Sequence, residues 1–235
     1  MISLTFLPPK TCLLYFVILT LSHACPDYSR IIEEVNNANT TWKAELNFRP
    51  DYPCESIKRL SGSRLEPNLP GRPTRLVTYS GAELPDEFDA RKRWPNCPTV
   101  LDIPDQSHCG SDWAVSTASV FSDRLCIGTN GNFTLPMSSE FLMACFDWAE
   151  GCLGGGPKFA WNFIESTGIV TGGNFDSKIG CQPYELPSCQ HFGTKSTKPP
   201  CFTVEVPGYH GVGPVCEKNA PMRSTEPVSR TISTK

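Results

Sequence analysis

The sequence predicts a helix-dominated α+β chain framed by disulfides, and three observations carry that expectation. Between residues 111 and 168 lie three amphipathic segments, each with a start or stop signal of its own. Beyond Gly168 the text turns rich in Gly, Pro and Cys, and strand signals are few and short. Twelve cysteines occur in 235 residues, in a chain that opens with an export-like leader.

The elements follow in chain order. Lys10 precedes the apolar run TCLLYFVILTL and then SHA, small residues at the positions a signal peptidase reads, so residues 1–24 are expected to be a signal peptide cleaved after Ala24. That run is about half of the roughly 20 apolar residues a bilayer span needs, so a membrane anchor is the weaker reading. Residues 25–83 hold one short helical pattern, YSRIIEEVNNAN, then Pro- and Gly-punctuated extended text that cannot build a core of its own. LPDEFDARKRWPNCPTVLDIPDQ, from Leu84, reads as loop. A first helix is expected from Ser111 to Ile127, with Ala114, Ala118, Phe121 and Leu125 on one buried face. A second begins after the N-cap Ser138 and carries SEFLMAC. The third opens with Pro157, buries Ala160, Phe163 and Ile164, and stops at Gly168. Residues 217–235 are almost without apolar content and are expected to be a disordered tail.

Composition excludes several classes of function. With 39% hydrophobic residues, a net charge of -3 and no basic run, neither nucleic acid nor an anionic membrane surface is expected as a partner. No CxxC or HxxxH spacing occurs, so no metal site is expected, and no cofactor is implied. GCLGGGPK before a helix lacks the GK[ST] ending of a phosphate-binding loop. Leaving aside Cys12 in the leader, an odd number of cysteines remains, so at least one thiol stays free or finds a partner elsewhere. Two sequons, NTT at Asn39 and NFT at Asn132, suit an exported glycoprotein.

Several words in order carry a resemblance. NTTWKA at 39–44, LPDEFDARKRWPNCPT at 84–99, DQSHCGSDWA at 105–114, SDRLCI at 122–127, GCLGGGP at 151–157 and CQPYELPSCQHF at 181–192 together resemble a cathepsin B-type member of the papain family of cysteine peptidases. The resemblance implies a papain-like α+β fold, with 25–83 as propeptide, 84–216 as an incomplete peptidase domain, the helical left subdomain present and the β-rich right subdomain largely missing. It also implies roles. Gln106 takes the position of the oxyanion donor, Gly154 and Gly155 that of the cleft strand, and His191 the first of two occluding-loop histidines, with Phe192 replacing the second. Disulfides are implied between Cys97 and Cys126, Cys109 and Cys152, and Cys189 and Cys201, with either Cys145 or Cys181 left without its usual partner.

Asp112 stands where the resemblance expects the nucleophilic cysteine. A thiol at a helix N-terminus is activated by unpaired N–H groups and the helix dipole, whereas a carboxylate there stabilises the helix and has little drive to attack an amide. The general-base histidine of the family would follow Cys216; His210 resembles no family motif, and His108 reads as a solvated turn residue. The sequence therefore leads one to expect a truncated, catalytically inactive homologue in the secretory pathway, secreted or lysosomal, that takes peptide or protein ligands. Two alternatives stand beside it: an active cysteine endopeptidase or carboxydipeptidase in a longer form, and a propeptide-like inhibitor or binding module for related cathepsins.

Overall fold

Ser138 shows how closely local sequence sets the helices: its side chain accepts the N–H of Phe141 at 2.9 Å, a three-residue reach that caps the second core helix. The computed structural model describes residues 27–48, 52–64, 81, 83, 85–146, 150–192 and 197–206. The signal peptide, the tail, Cys25, His210 and Cys216 lie outside the described residues.

The chain divides into two units, one of residues 1–58 with 191–196 and the other of residues 59–190 with 197–235. In the first, helix α1 (Ser29–Asn37) buries no residue. Asn36 brackets Ala44, donating to its carbonyl at 3.0 Å and accepting its N–H at 2.8 Å. Phe48 stacks between Tyr52 and Phe192, with ring centroids 5.2 and 5.0 Å away. Helix α2 (Cys54–Arg59) was not foreseen: six residues are too few for a periodic signal, although Pro53 accepts the N–H of Ser56 and Ile57 to start it.

The second unit holds the core. Helix α3 (Ala90–Arg93) lies within text expected to be loop, started by Asp89, whose carboxylate accepts the Arg91 N–H at 2.9 Å. Helix α4 (Asp112–Gly128) packs against both α5 (Ser139–Cys145) and α6 (Pro157–Thr167). Its buried face carries Ala114, Ala118 and Leu125, and also Trp113, Thr117, Ser122 and Cys126. The buried hydroxyls are satisfied along the helix: Thr117 donates to the Trp113 carbonyl and Ser122 to that of Ala118, each at 2.7 Å. Phe121 is only partly buried, its ring edge-on to Trp161 at 5.8 Å. Gly168 ends α6 at φ 94°, in the left-handed region where an L side chain is strained. Among the described residues, β structure is limited to four isolated bridges.

Glu140, in the first turn of α5, is wholly buried. One carboxyl oxygen accepts the Glu185 N–H at 3.1 Å, and the other has no hydrogen-bond partner among the described residues. Burial pushes this carboxyl up to about 7, from an ordinary value of 4.5. A carboxyl raised in the folded state holds more protons there than when unfolded. Its contribution is complete below pH 4.5 and is lost as pH rises through about 7. Glu140→Gln should remove roughly 3 kcal/mol of that pH-dependent change, so the variant's melting temperature should vary less between pH 4.5 and 7.5 than the parent's.

Candidate peptide-binding cleft

The N-terminal turn of α4 is built by two covalent and backbone ties. Cys109 is joined to Cys152, and the Gly110 N–H donates to the Cys152 carbonyl at 3.0 Å, which fixes the turn 106–111 against the glycine segment 154–156. Tyr184 closes the turn from below. Its hydroxyl is 2.6 Å from the Ser111 hydroxyl and donates to the Gln106 carbonyl at 2.9 Å; burial pushes the phenol well above its ordinary range. His108, read from sequence as solvated, is 5% exposed, because these ties draw the turn inward and leave Ser107 and Cys109 with no exposure at all.

Glycines line this candidate cleft at 154 and 155 because the neighbouring atoms leave no room for a side chain. A Cβ on Gly155 would lie 2.5 Å from Cε2 of Trp113, which is itself fully buried. Gly154 has φ 124°, and a Cβ there would meet the Gly62 carbonyl at 2.5 Å.

Residues 60–64 run through this cleft. The Gln106 side-chain amide donates to the Leu60 carbonyl at 2.9 Å and to the Cys109 carbonyl at 2.7 Å. Gly155 donates to the Gly62 carbonyl at 3.0 Å and accepts from Arg64 at 2.9 Å, so Ser63 and Gly155 form a parallel bridge. The guanidinium of Arg64 pairs with both carboxyl oxygens of Glu150, at 2.7 and 3.1 Å, and donates to the Leu153 carbonyl at 3.0 Å. That contact holds the Glu150 carboxyl below its usual range.

Asp112 is the first residue of α4, but its carboxylate does not cap that helix. Oδ1 accepts the Gly62 N–H at 2.7 Å and Oδ2 accepts the Ser63 N–H at 3.2 Å. Gly62, Ser63, Arg64 and Glu150 were not singled out from sequence. The only local hint is SGSR, a glycine followed two residues later by an arginine, inside text that otherwise reads as linker.

Comparison with known proteins gives this arrangement a family. Residues 84–234 match the papain family cysteine protease domain, and residues 29–67 match the family C1 propeptide. The chain belongs to the papain family of cysteine peptidases. Its similarity is to cathepsin B-like members. It is 38% identical over 166 residues to a cathepsin B-like cysteine proteinase of Schistosoma japonicum, covering 69% of this chain and 48% of that protein. It is 36% identical over 174 residues to cathepsin B-like cysteine proteinase 4 of Caenorhabditis elegans, covering 73% and 51%. The solved structure of proCathepsin B S9 from Trypanosoma congolense matches with TM-score 0.54 and 35% identity, over 73% of this chain and 60% of that one. The chain thus spans about half the length of the curated relatives it matches.

Within this papain-family frame the remaining site residues can be located. Cys97 is bonded to Cys126 and Cys189 to Cys201; sulfurs committed to a disulfide cannot serve as thiolate ligands for a metal. Cys54 and Cys145 are also disulfide-bonded, and Cys181 is the free cysteine among the described residues. His191 is partly exposed, its ring 5.9 Å from that of Phe192. Phe192 packs its ring on that of Phe48, which lies within the residues matched as propeptide. Both sequon asparagines, Asn39 and Asn132, are exposed.

Proposed function

We propose that this chain is a cathepsin B-like homologue of the papain family whose cleft binds peptide without cutting it. The observation that carries the reading is the carboxylate at position 112, with both oxygens engaged by backbone N–H groups of residues 62 and 63. Attack by a carboxylate on an amide would form a mixed anhydride and must expel an amine that needs a proton. Among the described residues no histidine hydrogen-bonds Asp112 to supply one. The ligands of the cleft are peptide segments, its own propeptide first among them.

The reading includes passage through the secretory pathway to a secreted or lysosomal destination. The propeptide match, the disulfides and the exposed sequons at Asn39 and Asn132 favour it. The contribution of Glu140, present at acid pH and lost toward neutrality, suits an acidic compartment. Among the described residues no helix is long and apolar enough to cross a membrane.

The test is hydrolysis of Phe-Arg peptide substrates by the purified protein, with and without a thiol-directed epoxide. No turnover above that of Asp112→Ala is expected. Turnover abolished by the epoxide would contradict the reading.

A further inference from the structure

We propose that the cleft is a receptor for a Gly-x-Arg peptide backbone, with Asp112 as the residue that fixes its register. The inference rests on the reading that this cleft binds without cutting, and it names what is bound and by which rule. Its occupant in this chain is the segment Gly62–Arg64.

Each position of the segment is read differently. The first must be glycine. Gly62 is buried between exposed neighbours, and a Cβ there would land inside the Gly110 carbonyl and 2.8 Å from Asp112 Oδ1, with backbone rather than a movable side chain in the way. Its N–H and carbonyl are both used, by Asp112 and by Gly155. The second position supplies only backbone: Ser63 gives its N–H to Asp112 Oδ2 and turns its side chain to solvent, so any residue except proline fits. The third favours arginine. Its planar fork meets both oxygens of Glu150 and the Leu153 carbonyl, which the single point charge of a lysine cannot reproduce. A carboxylate at 112 offers two adjacent acceptors to two successive N–H groups. The pairing is charge-assisted and fixes the register of the segment.

The experiment is amide hydrogen exchange of the full chain, comparing the parent with Gly62→Ala, Ser63→Ala and Asp112→Ala. In the parent the amides of residues 62–64 should be protected. Gly62→Ala and Asp112→Ala should each speed their exchange by about tenfold or more, since charge-assisted hydrogen bonds are lost, while the amides of α4 and α6 keep their rates. Ser63→Ala should leave exchange unchanged. Unprotected amides at 62–64 in the parent, or equal effects of Ser63→Ala and Gly62→Ala, would overturn the proposal. Should Asp112→Ala also loosen α4, Gly62→Ala decides alone, because it alters the propeptide and not the helix. Peptide turnover measured on the same samples separates the two claims. Turnover with protection intact contradicts only the non-cutting reading, and lost protection without turnover contradicts only the receptor.

Discussion

Replacing Asp112 with cysteine should yield a thiol that can be alkylated in a protein that still cleaves no peptide. The substitution places sulfur among the free N–H groups of the first turn of α4, where the helix dipole favours thiolate. The Gln106 amide is engaged by the Leu60 and Cys109 carbonyls. Two things remain against catalysis. Gly62 and Ser63 lie directly over position 112, and no histidine among the described residues hydrogen-bonds the side chain there. Protonation of a departing amine by a positioned acid contributes roughly 10²- to 10⁴-fold, so a thiol alone falls short. Alkylation by iodoacetamide should exceed that of the parent, whose free thiol among the described residues is Cys181. Hydrolysis of Phe-Arg substrates should stay at background. Turnover by the single variant would show that a general acid had been overlooked, and His210, outside the described residues, would be the first residue to replace.

Removing the Cys109–Cys152 disulfide, as Cys109→Ala with Cys152→Ala, should be more damaging than removing Cys97–Cys126 or Cys189–Cys201, whose partners are 29 and 12 residues apart. Cys109 and Cys152 are 43 apart in sequence, and closing a loop of that length in the unfolded chain corresponds to about 4 kcal/mol. The 12-residue separation of Cys189 and Cys201 corresponds to about 3 kcal/mol by the same relation. The first bridge also ties the turn 106–111 to the glycine floor, so its loss should disturb the cleft as well as lower the melting point by roughly 10 °C. Thermal unfolding of both double variants checks the order. A smaller loss from the Cys109–Cys152 pair than from Cys189–Cys201 would contradict it.

The helices were legible because their signals are local. The Ala114, Ala118, Leu125 spacing, the Ser138 cap and the Gly168 stop each lie within a few residues of what they determine. Helices α2 and α3 were not, since four to six residues carry no period and only a preceding Pro53 or Asp89 marks them. Tyr184 and Leu186 belong to the core although their surroundings read as irregular. His108 was misjudged for a related reason: its burial is imposed by a disulfide to residue 152 and a tyrosine at 184, neither visible from the turn itself. The site was half legible. Position 112 stands out in the sequence alone, yet its partners are about 50 residues away, and nothing in SGSR announces that two of its N–H groups will meet a carboxylate.

The most direct test of a cleft that binds without cutting uses the substrate already in it. The intact mass of the purified full chain should be followed between pH 4 and 7, because residues 60–64 lie against Gln106, Asp112 and Gly155 at an effective concentration no added peptide can match. The account predicts that the parent and Asp112→Ala each keep the single mass of their own uncut chain. Cleavage within residues 59–89 of the parent that disappears in Asp112→Ala would contradict it.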